Sequence, residues 1–196
     1  MQIGIIGAGN VGLAMGRQLA AAGHQVKLSA RNPGALTTAA EGIGAEAVPI
    51  VDAAAEDLVV LAVPWLAVPD VLDSLPEWRG RILVDATNPF VNFQPLELDD
   101  LAGRSASVVV AQHAPGARVV KAFNSITMVN FEDGARQGKA RRVLFVSGDD
   151  VPSKQTVAGL ITELGFAAID LGSLEVGGRL QQAGGPLAGH DFLVNQ

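Results

Sequence analysis

The chain has no cysteine, no tyrosine and only three histidines, His24, His113 and His190. Without cysteine there is no disulfide, no thiol nucleophile, no iron–sulfur cluster and no cysteine-ligated zinc. Without tyrosine there is no tyrosine–lysine catalytic pair of the kind that short-chain dehydrogenases need. No two histidines stand at the spacing of metal ligands on a helix, so no metal site is expected. Basic runs are missing as well. With a net charge of −6, the chain suits neither nucleic acid nor an anionic membrane. Long hydrophobic runs are also absent: Gly7, Asn10 and Arg17 break the apolar start, and no basic segment followed by a cleavage site precedes it. The expectation is a soluble, unprocessed, cytoplasmic protein with no membrane segment.

What the chain does have is apolar mass in short blocks. Its 196 residues are 48% hydrophobic, enough for one good core. Strands are expected over 2–7, 25–29, 45–48, 58–63, 81–85, 118–122, 142–147 and 166–170. Helices are expected over 10–22, 34–41, 49–55, 64–75, 101–113 and 153–164, with a further one around 174–182; by composition 105–110 would also suit a strand. In the first helix Val11, Ala14, Met15, Leu19 and Ala22 recur at helical spacing. Asn32 and Pro33 fit an N-cap and a first-turn proline. Residues 88–95, with two prolines and two asparagines, read as a loop. The strands are apolar throughout, as strands covered on both faces are. The implied fold is α/β: a single Rossmann-type, doubly wound, mainly parallel sheet with helices on both faces, extended beyond the first six strands. One domain over 1–196 is expected, with 172–196 as an extension suited to a dimer or acceptor interface.

In such sheets ligands bind beyond the carboxyl ends of the strands. The first of these ends, Gly7-Ala8-Gly9-Asn10-Val11-Gly12, fits G-x-G-x-x-G between a strand and a helix. Gly7 permits the tight turn, Gly9 lets a pyrophosphate approach the backbone, and Gly12 lets the helix lie close to the strand. A turn that merely packs a helix would explain Gly12 and leave Gly9 without a purpose. The second end, Ser29-Ala30-Arg31-Asn32, lacks the acid that holds an NAD ribose; no Asp or Glu occurs from 25 to 40. Arg31 can form a charge-assisted fork with a 2′-phosphate, Ser29 can donate a hydroxyl, and Asn32 can donate or cap the helix. An ordinary surface arginine would sit poorly at a helix N-terminus, so NADP(H) is expected over NAD(H).

Further along, Val63, Pro64 and Trp65 follow the fourth strand, and Trp65 is either a cofactor wall or core. Asn88 either orients the nicotinamide half or starts a turn. Phe123, Asn124 and Ser125 follow an apolar strand and point polar capacity at the cleft, as does Ser147-Gly148-Asp149. His113 is a weak acid–base candidate and His24 a structural one. Residues 134–139, GARQGK, have one residue too few between the glycines for a phosphate loop, and Ala140 stands where Ser or Thr belongs.

The combination of IGIIGAGNVG, LSARNP, VLAVPW, VDATNPF, VVKAFNSI and FVSGDD resembles the NADP-dependent, coenzyme F420-linked oxidoreductases and the related cytosolic domain of membrane ferric reductases. The resemblance implies hydride transfer between NADPH and a flavin or deazaflavin ring, chemistry that relies on proximity and little on acid–base groups. It also implies roles: Gly7, Gly9, Asn10 and Val11 at the pyrophosphate, Ser29, Arg31 and Asn32 at the 2′-phosphate, Val63, Pro64 and Trp65 along the nicotinamide half, and Asn124, Ser125 and Ile126 beside the acceptor ring. Family members often form dimers, which suggests a homodimer. The chain departs from the archaeal F420-reducing members at Phe123-Asn124-Ser125, where they carry a His-Thr-type stretch, so the acceptor stays open between F420, FMN, FAD and another molecule. Two other readings stand beside this one. One is an imine or hydroxyacid dehydrogenase lacking the usual helical second domain; the other is an NADPH-binding sensor without turnover.

Overall fold

The computed structural model describes residues 1–195. In chain order the elements are β1 (Gln2–Ile6), α1 (Asn10–Ala21), β2 (Gln25–Ser29), α2 (Pro33–Glu41), β3 (Glu46–Ala47), α3 (Ile50–Ala53), β4 (Leu58–Leu61), a 3-10 turn (Trp65–Ala67), α4 (Val68–Asp73), β5 (Ile82–Asp85), β6 (Phe90–Phe93), β7 (Leu96–Leu98), α5 (Ala106–His113), β8 (Arg118–Lys121), α6 (Met128–Glu132), β9 (Arg136–Gln137), β10 (Ala140–Gly148), α7 (Val151–Glu163), β11 (Ala167–Asp170), α8 (Val176–Gln181) and β12 (Leu193–Val194). The main sheet runs β11-β10-β8-β5-β4-β1-β2-β3, and β3, β2, β1, β4, β5 and β8 are all parallel. The order reverses between β1 and β4, which puts the crevice at their carboxyl ends.

The unbroken apolar strands have a direct cause. Alternate residues of a strand face opposite ways, and both faces are covered. Ile3, Ile5, Val26, Leu28 and Val60 join Met15, Leu19, Phe131 and Ile161 in one core. Ile6, Val59, Leu61 and Leu83 join Leu72, Trp78 and Val110 in the other. At about 25 cal/mol per Å² of apolar surface buried, these two layers are the main support of the strand-end loops.

The structure corrects several expectations. Residues 88–95 are not simply a loop: β6 and β7 pair as an antiparallel hairpin off the main sheet. The helix expected over 64–75 is a 3-10 turn followed by the short α4. The one expected over 101–113 begins only at Ala106, where the Ser105 hydroxyl accepts from the Ser107 amide. The helix α6 and the strands β9 and β12 were not foreseen; residues 134–139 hold β9 and the turn that leads into β10. Most consequential is β10, which runs antiparallel to β8 and meets it only at Ser147↔Lys121 and Gly148↔Val120. Lys121 is the last residue of β8, so residues 140–146 run beyond the carboxyl edge of the sheet. Ser147 is therefore level with the last residue of β8, and Gly148-Asp149 runs from there back toward the amino edge instead of out over the crevice. The projecting part of β10 pairs with β9, β11 and β12, and Leu187 and Phe192 of the tail pack on Val143 and Phe145.

Candidate dinucleotide cleft

A cleft of about 810 Å³ opens at the carboxyl ends of β1, β2 and β4, lined by Gly7, Gly9, Arg31, Asn32, Val63 and Pro64 among others. The three glycines of the turn are there for different reasons. Gly7 has φ +109, and a Cβ there would lie 2.3 Å from the Ala62 carbonyl oxygen. A Cβ on Gly12 would lie 1.8 Å from the Gly7 carbonyl oxygen. Both are demanded by the protein's own packing. A Cβ on Gly9 would meet nothing within 4 Å. The bare backbone at Gly9 thus serves the space above it, as a pyrophosphate-binding turn requires. Helix α1 starts here with no side-chain cap and no acid in its first turn, leaving its first N–H groups and the positive end of its dipole to an anion.

At the end of β2 the side chains divide. Ser29 is 1% exposed and its hydroxyl donates to the Ile5 carbonyl, 3.3 Å away, so its proton is directed to β1 and not into the cleft. Asn32 occupies the N-cap position of α2, but its side chain makes no cap bond. Arg31 is exposed and lines the cleft; no other ionisable side chain does so among the described residues. A guanidinium and an uncommitted amide at this point fit a phosphate and would not suit a bare ribose diol.

Other expected site residues are engaged within the protein. Trp65 is 6% exposed in the second core, and its indole N–H donates to Asp99 Oδ2 at 2.8 Å; Val63 and Pro64 form the cleft wall beside it. Asn88 donates to the Asn124 carbonyl at 2.8 Å, and its own Oδ1 accepts from Asn124 Nδ2 at 3.0 Å and the Ala183 amide at 2.9 Å. Asn124 Nδ2 also donates to the Gln181 carbonyl at 2.8 Å. This cluster ties the ends of β5 and β8 to the chain after α8. Phe123 has φ 64, a strained conformation for a bulky residue. It turns the chain off β8 while its ring stays in the core, edge-on to Phe131. The Ser125 carbonyl accepts from the Gly189 amide at 2.7 Å, and Ile126 is buried in the first core. The structure thus brings Gly7 to Gly12, Ser29, Arg31, Asn32, Val63 and Pro64 together, and sets Asn88 and Phe123 to Ile126 along the next strand ends.

The histidines lie elsewhere. His113 ends α5 and meets Asp73, at the end of α4, at 3.0 Å. His24 contacts the N-terminal amine at 3.2 Å and Glu163 at 3.5 Å. His190 stands against Phe192 in the tail. No group of His, Cys, Asp or Glu among the described residues could hold a metal ion.

One polar cluster escaped the sequence reading. Asp85 and Lys121 close β5 and β8 as direct register partners. Both side chains are wholly buried, with Nζ 3.0 Å from Oδ2. Lys121 also donates to the Thr87 carbonyl at 3.1 Å. Asp85 accepts from the Thr87 amide at 2.9 Å and hydroxyl at 2.6 Å, and from the Ser107 hydroxyl. Burial alone would push the Asp85 carboxyl up; Lys121 and the Ser107 and Thr87 donors outweigh it and hold the group below the ordinary aspartate range. The pair fixes the loop that leads from β5 to Asn88.

Residues 2–89 match the family described as NADP oxidoreductase coenzyme F420-dependent. The matched stretch, from β1 to just past β5, is that of a family of NADP-dependent oxidoreductases. A hypothetical protein of Sinorhizobium meliloti is 37% identical with a TM-score of 0.92, over all of this chain and 97% of that one. An Arthrobacter sp. FB24 protein described as an F420-dependent NADP reductase is 28% identical with a TM-score of 0.73, over 89% of this chain and 86% of that one. Metalloreductase STEAP3 of Rattus norvegicus is 26% identical over 174 residues, 88% of this chain. The chain spans about a third, 34%, of the length of that curated relative. Among the described residues no helix is long and apolar enough to cross a membrane.

Proposed function

We propose that the chain binds NADP(H) in this cleft and moves a hydride between it and the ring of a flavin or deazaflavin (F420-type) acceptor. The observation that carries the reading is the cleft lining: apolar walls, a bare backbone at Gly9, and Arg31 as its ionisable side chain. The chain offers binding and orientation there, with no acid–base relay, and hydride transfer between two stacked rings needs none. When bound, NADPH supplies the hydride. The free N–H groups of Asn10 and Val11 receive the pyrophosphate, Arg31 and Asn32 receive the 2′-phosphate, and Val63 and Pro64 exclude water beside the nicotinamide half. The Asn88–Asn124 tie and the strained turn at Phe123 hold the floor on the acceptor side.

The test is NADPH oxidation, followed by loss of the reduced nicotinamide absorbance, with F420, FMN, FAD and riboflavin offered in turn and NADH as control. Turnover with one of these acceptors and little with NADH is the expected result. Tight NADPH binding with no turnover on any ring would overturn the acceptor reading and favour a sensor or a small-molecule dehydrogenase.

A further inference from the structure

The β6–β7 hairpin rises from the carboxyl end of β5 as a two-stranded ribbon apart from the main sheet. None of its strand residues is buried; Phe93 is 69% and Leu96 65% exposed. A two-stranded ribbon is marginally stable by itself in water, so its position depends on what holds it. It is held at its feet. At one foot, Asn88 is tied to Asn124 and to the Ala183 amide. At the other, the Asp99 amide donates to the Pro89 carbonyl at 2.8 Å, and Asp99 Oδ2 accepts from the Trp65 indole. Between the feet the hydrogen bonds among the described residues are local: the ladder itself, the Phe90 amide to the Asn88 carbonyl at 2.8 Å, and the Gln94 amide to Asn92 Oδ1 at 3.2 Å. Val91 packs on the second core; Phe93 and Leu96, further out, face solvent.

The feet set this arm beside the dinucleotide cleft. Trp65 directly follows Val63 and Pro64 of the cleft wall. Strand β6 lies against the 3-10 turn that Trp65 begins, and Leu66 of that turn is itself 65% exposed. The reach is sufficient. Four residues of strand span about 13 Å, at about 3.3 Å each. The crevice at β1 is two strands from β5, a distance of about 10 Å at about 4.8 Å per strand.

We propose that the hairpin is a strap that folds over the nicotinamide end of the bound dinucleotide, with Phe93 and Leu96 as its contact residues. The inference rests on the NADP(H) reading of the cleft and is independent of the acceptor. Phe93 and Leu96 gain cover only when the strap is down on the cofactor, and this differential contact is what lets the dinucleotide shift the hairpin. Closure excludes water from the path of the hydride.

The experiment measures amide hydrogen exchange of the full chain with and without saturating NADP⁺. NADP⁺ affinity is measured by calorimetry for the wild type and for Phe93→Ser combined with Leu96→Ser. The expected result is exchange slowed about tenfold or more at 90–98 as well as at 7–12. The double variant should bind NADP⁺ about tenfold more weakly with an unchanged melting temperature, since both side chains are exposed. In that variant the protection at 90–98 should vanish while that at 7–12 remains. Protection at 7–12 with no change at 90–98, or unchanged affinity in the double variant, overturns the strap and leaves the cleft reading standing. Absence of NADP⁺ binding, with no protection at either segment, overturns both. Protection at 90–98 that follows protein concentration and not NADP⁺ puts a second copy of the chain on the hairpin and likewise overturns the strap.

Discussion

Removing Lys121 tests whether the buried ion pair stabilises the carboxyl ends of β5 and β8. In Lys121→Met the side-chain volume is kept and the charge is lost. Asp85 then keeps the Thr87 and Ser107 donors but loses its cation at 3.0 Å, in a site with no solvent exposure for either partner. Breaking a fully buried pair by removing one member costs about 3–5 kcal/mol, a large share of the roughly 5–15 kcal/mol that holds a domain folded. For a chain of this size that is a fall of about 6–20 °C in melting temperature. The pH dependence gives a second, independent readout. In the native protein the Asp85 carboxyl lies below its ordinary value, so its contribution is fully present above the unfolded pKa of about 3.9 and is lost as pH falls through the lower folded value. Without Lys121, burial becomes the leading influence and pushes the carboxyl up. The variant's Asp85 then takes up a proton on folding in acid, and the variant loses stability as pH rises from the unfolded pKa to the raised folded one. The gap between the two proteins should therefore narrow as pH is lowered from about 7 toward about 4. Urea unfolding at both pH values measures it. A loss under about 1 kcal/mol near pH 7, the size of an exposed pair, or a gap that widens in acid, would refute the reasoning.

Gly9→Ala and Gly12→Ala are predicted to part company. The first adds a methyl to open space and should leave melting unchanged while weakening NADPH binding in a titration; the second places a Cβ 1.8 Å from the Gly7 carbonyl and should destabilise the fold itself by about 1–3 kcal/mol or more in urea unfolding. Arg31→Ala should weaken NADPH binding by about 10- to 100-fold, the worth of one or two charge-assisted hydrogen bonds, with little change for NADH; equal loss for both cofactors would remove the 2′-phosphate role. Arg142 grips Asp191, Asp133 and the Gly134 carbonyl from a buried position. Arg142→Ala should speed amide exchange in residues 189–194 by about tenfold or more, and unchanged protection there would show that Phe192 packing alone holds the tail.

The parallel half of the sheet was legible because burial on both faces leaves an apolar run in most strands: β1, β4, β5 and β8 have one, and in β2 only Lys27, paired with Glu56, interrupts it. The glycine turn was legible because its order between strand and helix is local. The hairpin was not. Asn88-Pro89 and Pro95 are strong turn signals, and the apolar residues around them, Phe90, Val91, Phe93, Leu96 and Leu98, form two runs too short to show a period. Nor was the direction of β10. A strand's composition reports its burial and carries no sign for the way it runs, so the chain after Gly148 was placed at the wrong edge of the sheet. The reversal is decided by β9, β11 and β12, which pair on the part of β10 that projects past β8.

The same limit governs the site. Ser29, Arg31, Asn32, Asn88 and Asn124 all stand at strand ends with polar atoms, and in sequence they carry equal claim to a ligand. What separates them is whether the protein has already engaged those atoms, and the partners come from far along the chain. Asn124 answers to Gln181, 57 residues away, and Asn88 to Ala183, 95 away. No window of local pattern contains both ends of such a bond. Among the described residues no distant hydrogen-bond partner engages Arg31 or Asn32, which is what the proposed phosphate role needs. The missed pair did leave a trace: VVKAF and LVDAT each close an apolar strand with one charge, opposite in sign, and neighbouring strands of a parallel sheet place their last residues side by side. A lone charge at the end of a buried strand has to be paired or neutralised, so a second strand ending in the opposite charge marks its neighbour. For Asp85 and Lys121 that inference would have supplied both the contact and the adjacency of β5 and β8.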